Sequence, residues 1–169
     1  QKGNGYYAGD LSGITAKKAP LWFRPFYKPG KKIAKEKDWH KKLEEIVEKA
    51  PSWDIGFVIG VPAWVQMCFE MIIERYKLNN IHELWPNLEV FFHGGINFEP
   101  YRDQYNDIID PAKMVYSNTY NASEGFFAIQ DQKDNSDLLL MLDYGIFYEF
   151  IPLSEIGSKS PKALTLREV

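Results

Sequence analysis

Two short apolar runs, each followed by a turn and then by helical spacing, constrain the fold of this chain most. Residues 54–60 (DIGFVIG) and 88–92 (LEVFF) are nearly continuous in apolar side chains, as the buried strands of parallel sheets are. Pro62 follows the first run, where a helix is expected to begin, and Gly94-Gly95 follow the second. The order strand, turn, helix predicts an α/β fold in which helices flank the sheet.

Further patterns extend this architecture along the chain. Apolar side chains fall at helical spacing in residues 34–50, from Pro62 onward, and in residues 98–108. Short runs typical of strands then follow at 114–120, 126–130, 138–142 and 146–151, so we expect a mixed β-sheet. We therefore divide the single unit 1–169 into an irregular basic and aromatic segment (1–33), an α/β part (34–113) and a mostly β part (114–169).

Composition and the reactive residue types exclude several classes of protein. With 45% hydrophobic and 25% charged residues, and 12 glycines and 10 prolines spread without period, the chain is neither disordered nor collagen-like. The single cysteine, Cys68, lies on an apolar helical face, so we expect a buried, unreactive thiol and no disulfide scaffold. The histidines His40, His82 and His93 have no metal-ligand spacing, so no zinc site is expected. There is neither a signal core nor a membrane-length apolar run, so we expect a cytoplasmic location.

Charge is unevenly distributed along the sequence. Residues 1–49 hold 12 basic and 6 acidic residues, a net charge of +6, whereas residues 50–169 hold 8 and 17, a net charge of −9. The basic stretch 17–35 interleaves Lys and Arg with Trp22, Phe23, Phe26 and Tyr27. We interpret it as a loop that packs its rings inward and keeps its charges in water. The acidic overall balance gives no support to a nucleic-acid partner, and we expect no membrane partner.

The first candidate site is the glycine pair Gly94-Gly95, followed by Ile96, at the end of the second predicted strand. Bare backbone lets a flat ligand approach closely, with amide groups free to hydrogen-bond it. In open α/β sheets, ligands bind at the carboxyl ends of the strands. A tight turn into the next helix would use the same residues, so both interpretations stay open.

The second candidate site is the sequence YNASEG at 120–125. The ring of Tyr120 is suited to stack on a base, and the hydroxyl of Ser123 is suited to meet a phosphate. The carboxylate of Glu124 is suited to hold Mg²⁺, which prefers oxygen ligands. The alternative is a polar hairpin loop whose Glu124 is simply solvated.

Taken in order, these segments resemble a known superfamily. GVPAW at 60–64, VFFHGG at 90–95 and YNASEG at 120–125 look like successive signatures of the acyl-adenylate-forming, firefly-luciferase-like enzymes. The longer phrases WPNL at 85–88 and GIFYEFIP at 145–152 resemble the auxin-responsive Gretchen Hagen family of acyl-acid amido synthetases, in its bacterial branch. The resemblance covers nearly the whole chain.

The resemblance implies a central fragment of the large N-terminal domain of such an enzyme, because family members are much longer. A Ser/Gly/Thr-rich phosphate loop is expected before Gln1. A Tyr-Arg-x-Gly-Asp motif that binds ribose and a mobile C-terminal domain are expected beyond Val169. We therefore expect residues 1–169 alone to bind nucleotide weakly and to be inactive, because these parts are missing.

The resemblance also implies roles for individual residues. Ser123 and Glu124 would be catalytic: Ser123 would contact the α-phosphate or the acyl carboxylate, and Glu124 would coordinate Mg²⁺. The remaining positions would bind ligands, with Gly94, Gly95, Ile96, Tyr120 and Asn121 around the nucleotide and Val61, Trp64 and Phe126 around the acyl group. Burial in the core is the simpler interpretation of the last three.

The implied reaction joins a carboxylic acid to ATP, with Mg²⁺, and transfers the acyl group to an amino acid. Asn121 and Ala122 differ from the plant form of the loop, so neither auxin nor jasmonate is implied as the acyl substrate. Two alternatives stay open. An acyl-CoA or aryl-CoA ligase shares the first half-reaction, and a non-catalytic binding module would instead use residues 17–35 to hold a partner.

Overall fold

The computed structural model of the chain describes residues 18–133 and 135–169, so the first half of the basic segment lies outside the described residues. The helices bounded within them are α1 (Gly30–Ala34), α2 (Trp39–Lys49), α3 (Pro62–Tyr76) and α4 (Glu99–Ile108). The strands are β1 (Phe57–Gly60), β2 (Val90–Gly94), β3 (Val115–Ala122), β4 (Gly125–Ile129), β5 (Leu139–Leu140), β6 (Glu149–Phe150) and β7 (Leu164–Thr165).

The main sheet is mixed and has the strand order β1-β2-β3-β4-β5. The strands β1, β2 and β3 run parallel, so Gly60 lies opposite His93 and Gly94 lies opposite Thr119. The chain then turns back, and β4 and β5 join in antiparallel pairing. This topology confirms the predicted α/β fold with a mixed sheet, whereas β6 and β7 form a separate pair.

The helices begin and end where local chemistry directs. Asp38 caps α2, since its carboxylate accepts a hydrogen bond from the Lys41 amide at 3.1 Å. The first predicted helix therefore starts later than residue 34, because α1 ends there and Asp38 opens a new helix. Pro62 occupies the first turn of α3, and Lys77 ends that helix in a left-handed conformation with φ 55°. No helix among the described residues is long and apolar enough to cross a membrane.

The hydrophobic core lies between β2 and the layer formed by α2, α3 and α4. Phe91 of β2 is fully buried and stacks on Tyr105 of α4, with ring centroids 5.3 Å apart. Trp85 donates its indole N–H to the carbonyl of Ala50 at 3.1 Å and so ties the segment before β2 to the end of α2. The other members of this core include Val47, Phe69, Ile72, Ile81, Leu88, Phe98 and Ile108.

The helices α2, α3 and α4 contribute to this one core, and the opposite face of the parallel strands stays partly open. Phe57 and Ile59 of β1 point to that face and are 47% and 70% exposed. We expected helices on both faces of the parallel strands. Among the described residues, helices cover only one face. The physical reason is that successive side chains of a strand point to opposite faces of the sheet, and in β2 the buried side chains of Phe91 and His93 lie on the helix side.

The prediction that the basic segment packs its rings inward was wrong for its most apolar positions. Leu21, Trp22 and Phe26 are each about three-quarters exposed, at 74%, 73% and 74%. Phe23 and Tyr27 are half-buried. The frequent prolines and turns at 20–29 keep this stretch from forming an amphipathic element that would bury one face.

The mostly β part contains shorter strands than its apolar pattern predicts. The expected strands at 138–142 and 146–151 contract to the two-residue strands β5 and β6, and β7 was not predicted. Much of the region after β5 is turn and irregular backbone, with Phe147 and Leu153 exposed. Apolar runs need a partner strand to become strands, and β5 pairs only with the last two residues that β4 offers, Ala128 and Ile129.

We predict that Tyr105→Phe will lower the free energy of unfolding by about 1 to 2 kcal/mol. The buried hydroxyl of Tyr105 donates to the carbonyl of Pro62 at 2.7 Å, and its loss leaves that carbonyl without this partner. Urea titration followed by circular dichroism measures the change. Tyr101→Phe, one turn earlier on the same helix, is the control, because its hydroxyl bonds to no described residue. An equal loss in both variants would contradict the role of the hydrogen bond.

Candidate functional site

The candidate site lies at the carboxyl edge of the three parallel strands. There β1 passes into the turn at Val61, β2 passes into the turn at Gly95, and β3 continues through Tyr120. The register places these points side by side, since Gly60 pairs with His93 and Gly94 pairs with Thr119. The structure therefore brings the two predicted glycines, Val61 and Tyr120 to one edge of the sheet.

Both glycines of the pair are required by the backbone. A Cβ atom on Gly94 would collide with the carbonyl oxygen of Thr119, so only glycine permits this close approach of β2 and β3. Gly95 has φ +81°, in the left-handed region, and a Cβ atom built on it would stand 3.9 Å from a methyl group of Val61. Ile96 follows on the surface and is exposed. The pair thus makes the tight turn into α4 and also leaves bare backbone at the strand end.

The second motif forms a hairpin that extends past this edge. Asn121 and Ala122 belong to β3 and Gly125 to β4, so Ser123 and Glu124 alone make the turn. The predicted polar interruption at 121–125 is therefore shorter than expected, because Ala122 pairs with Gly125 across the hairpin. The register between β3 and β4 shifts between Tyr120 and Asn121. Such an irregularity changes the direction in which the side chains at this edge point.

The hairpin tip extends from the same edge of the sheet as the glycine pair. Glu124 follows Thr119 by five residues, which span at most about 17 Å of extended chain. Ser123 and Glu124 are exposed, and neither side chain makes a hydrogen bond or ion pair with another described residue. Tyr120 is 55% exposed and packs against Phe127 of β4, with ring centroids 5.2 Å apart.

The three residues expected around an acyl group lie in different surroundings. Val61 lies beside the glycine turn, since its methyl group would be 3.9 Å from a Cβ atom built on Gly95. Trp64, in the first turn of α3, is 58% exposed and packs on Trp39 at 5.4 Å, so its assignment to the core was wrong. Phe126 is half-buried on β4 and packs near Tyr144, with ring centroids 6.1 Å apart.

A buried aromatic cluster beneath the glycine turn was missed by sequence reasoning. His93 is 5% exposed and stacks on Phe98 at 4.4 Å, and Phe98 in turn packs on Tyr116 at 4.6 Å. The guanidinium of Arg102 lies over the rings of Phe98 and Tyr116, at 5.3 and 5.6 Å from their centroids. Glu99 holds Arg102 with an N–O distance of 2.8 Å. The spacing of Phe98 and Arg102 on one helix was the only sequence signal of this cluster.

The cluster controls the protonation of His93. Burial lowers the pKa of His93 to about 4, and the positive charge of Arg102 acts in the same direction, against a smaller opposing effect of Glu99. Its Nδ1 atom and the hydroxyl of Tyr116 are buried without a hydrogen-bond partner among the described residues. Burial also raises the pKa of Tyr116 to about 12. Both rings are therefore neutral at pH 7.

The other reactive residue types have structural roles or lie elsewhere. His82 bonds through Nε2 to the carbonyl of Leu88 at 2.9 Å, and its Nδ1 accepts the amide of Asp110 at 3.0 Å. His40 is exposed on α2. Burial raises the pKa of Cys68 to about 11, so this thiol is protonated at neutral pH, as predicted. Within residues 18–133 and 135–169, no three His, Cys, Asp or Glu side chains gather closely enough to hold a metal ion.

We predict that acid will destabilise the fold through His93. The side chain has a pKa of about 6.5 when unfolded, so between that value and its folded pKa of about 4 the unfolded chain binds a proton that the folded chain does not. Stability present above pH 6.5 is therefore lost as the pH falls, by about 2 kcal/mol from pH 7 to pH 5. Urea unfolding of the wild type and of His93→Phe at both values measures the difference.

His40→Gln provides the matched control, since His40 is exposed on α2 and not buried in the core. His93→Phe should flatten the pH dependence by about the same 2 kcal/mol, whereas His40→Gln should leave it as in the wild type. Parallel curves for the wild type and His93→Phe would show that His93 is not the group responsible.

Comparison with known proteins places the chain in a family. The family model described as "GH3 family N-terminal domain" matches residues 2–114, about two-thirds of the sequence. The match includes β1, β2, α3, α4 and the glycine turn, and it ends just before β3. No curated protein and no solved structure matches the chain. The shared domain and the α/β architecture lead to one conclusion: the chain belongs to the GH3 family, the auxin-responsive Gretchen Hagen family.

Proposed function

We propose that this chain carries part of the adenylation centre of an ATP-dependent ligase. The enzyme would activate a carboxylic acid as an acyl-adenylate and transfer the acyl group to the amine of an amino acid, as an acyl-acid amido synthetase does. The observation that carries the proposal is the common edge shared by Gly94-Gly95, Tyr120 and the Ser123-Glu124 hairpin. Family membership supports the enzyme class, and the proposed setting is the cytoplasm, where ATP is available.

The glycine turn and Tyr120 are suited to bind the nucleotide base. Gly94 and Gly95 carry no side chains, so their amide and carbonyl groups are open to a planar ligand at the strand ends. Tyr120 lies one residue beyond the partner of Gly94 and exposes more than half of its surface, which leaves ring area for stacking. Ile96, in the turn after β2, and Asn121, on β3, are both exposed and flank this space.

Glu124 fits the kind of ligand that Mg²⁺ takes in nucleotide sites. Mg²⁺ keeps several waters and is held by one or two carboxylates together with the phosphates of the substrate. A single exposed carboxylate at a hairpin tip, without a competing lysine or arginine partner among the described residues, matches that requirement. Ser123 beside it would donate its hydroxyl to the α-phosphate or the acyl carboxylate. Bound Mg²⁺ would offset the negative charge of the phosphates.

The proposed reaction has two balanced steps. In the first, a carboxylate oxygen of the acid attacks the α-phosphorus of ATP, and the bond to pyrophosphate breaks. In the second, the amine of an amino acid attacks the acyl carbonyl, loses a proton, and expels AMP. The chain's own contribution to the first step would be to hold the base at Gly94-Gly95 and Tyr120 and the reacting groups at Ser123. This is catalysis by positioning.

Val61, Trp64 and Phe126 are the apolar side chains we propose near the acyl group. Val61 lies beside the glycine turn, and Trp64 presents an exposed indole at the start of the next helix. Phe126 pairs across the hairpin with Asn121. Apolar surfaces of this kind favour the hydrocarbon part of a carboxylic acid substrate.

A non-catalytic binding module is the second candidate function, and one specific observation favours it. Residues 18–35 carry six basic residues and no acidic one, and three of their apolar side chains, at positions 21, 22 and 26, lie exposed. Such a surface is suited to an acidic partner with apolar patches. This function would not require Glu124, so the experiment below separates the two.

We predict that Glu124→Gln will weaken Mg-ATP binding about tenfold, which corresponds to about 1.4 kcal/mol. The amide removes the charge that attracts the cation but keeps the shape of the side chain. Isothermal titration with ATP, in Mg²⁺ and then in EDTA, should show the loss in Mg²⁺ only. Glu89→Gln is the control, because Glu89 is also exposed but precedes β2, at the opposite edge of the sheet. Equal affinity of Glu124→Gln and the wild type in Mg²⁺ would count against adenylation and favour the module.

We predict that a polypeptide in which residues 1–169 are joined to the rest of the proposed enzyme will form an amide with amino acids and no thioester with coenzyme A. Both acceptors are supplied with ATP and a panel of carboxylic acids, and the products are identified by mass spectrometry. ATP–pyrophosphate exchange by this polypeptide, but not by residues 1–169 alone, is the expected companion result. A coenzyme A thioester would instead favour the acyl-CoA or aryl-CoA ligase.

A further inference from the structure

The turn that follows β2 is held at both ends by aromatic stacking. Counted from Gly94, the last residue of β2, it runs to Asn97, and its flanking residues are His93 and Phe98. The two flanking rings lie nearly parallel, with centroids 4.4 Å apart and an interplanar angle of 24°. Because both rings are buried, this contact closes the turn from the helix side of the sheet.

A second contact holds the same turn from the opposite side. The hydroxyl of Thr119 donates to the carbonyl of His93 at 3.0 Å. That hydroxyl lies 2.9 Å from the point where a Cβ of Gly94 would stand, so it occupies the space that the missing side chain leaves. Successive residues of a strand point to opposite faces, so the side chain of Thr119 lies on the face away from the buried ring of His93.

Restraint matters here because the turn has little else to fix it. Asn97 accepts a hydrogen bond from the Glu99 amide at 3.2 Å, but Gly95, Ile96 and Asn97 are exposed, so burial does not order them. Fixing the backbone of one residue costs about 1 to 2 kcal/mol of conformational entropy, and glycine loses more freedom than other residues. If a ligand had to order this backbone on binding, that cost would weaken its affinity.

We propose that Thr119 is a positioning residue of the nucleotide site: with His93 and Phe98 it forms a clasp that keeps the Gly94–Asn97 turn in one conformation beside Tyr120. The inference rests on the proposed function for the identity of the ligand, but the clasp itself is a property of the described residues. Thr119 acts through the backbone carbonyl of His93 and does not touch the reacting groups. Because Thr119 bonds to the strand end before the glycine turn and directly precedes Tyr120, it links the two parts of the proposed base site.

The test compares two substitutions that separate shape from hydrogen bonding. Thr119→Val keeps the shape of the side chain and removes the donor, whereas Thr119→Ser keeps the donor. In ¹⁵N relaxation measurements on residues 1–169, the order parameters of Gly95 and Ile96 should fall in Thr119→Val from the rigid value of about 0.85 toward about 0.6. The dissociation constant of Mg-ATP should rise about five- to tenfold, and Thr119→Ser should restore both values.

Ser117→Ala is the matched control on the same strand and the same face. The hydroxyl of Ser117 also donates to a backbone carbonyl, that of Gln130 at 3.3 Å, but two residues away from the turn. Its loss should lower the melting temperature as much as Thr119→Val does, with no change in the turn or in ATP affinity. Unchanged order parameters in Thr119→Val, or an equal drop in Ser117→Ala, would overturn the clasp.

The two proposals fail in distinguishable ways. If the wild-type chain joined to the rest of the proposed enzyme binds no ATP but Thr119→Val still loosens the turn, the clasp stands and the adenylation proposal falls. If the turn loosens while the affinity for ATP stays at the wild-type value, the positioning role of Thr119 is overturned and nucleotide binding stands.

Discussion

The packing of Phe91 at the centre of β2 is the interaction on which the rest of the structure depends. Its ring stacks on Tyr105 of α4 and contacts the rings of His93, Phe98 and Tyr116. One side chain thereby fixes the helix that follows the glycine turn against the two strands that border it. A fully buried Phe contributes on the order of 2 to 3 kcal/mol by area alone, and here the same contacts also set the geometry of the candidate site.

That core explains why the edge of the sheet is ordered although its residues are exposed. Tyr105 reaches from the core to the carbonyl of Pro62, so α4 also anchors the start of α3 and the Val61 turn before it. The glycine turn is bounded by two buried rings and lies beside Val61. Ligand-binding residues commonly lie on exposed loops, because the rigid packed elements beneath them hold those loops in position.

Local sequence patterns predicted most elements of the α/β part. Continuous apolar runs marked β1 and β2, and proline and helical spacing marked α3, since these depend on neighbours within a few residues. The same approach was wrong for Trp22, Phe26 and Trp64, whose exposure depends on which other element happens to cover them. It also overestimated the lengths of β5 and β6, because an apolar run forms a strand only where a partner strand lies beside it.

The sequence by itself determined the α/β class, the glycine pair at a strand end and the polar residues of the hairpin, because each is encoded in a contiguous stretch. Only the tertiary structure decided that Thr119 stands beside Gly94, and that its hydroxyl meets a carbonyl 26 residues away. That contact depends on the register between β2 and β3, which the shared aromatic core fixes and no local pattern contains. The burial of His93, and the low pKa that follows from it, arose in the same way from side chains that three separate elements supply.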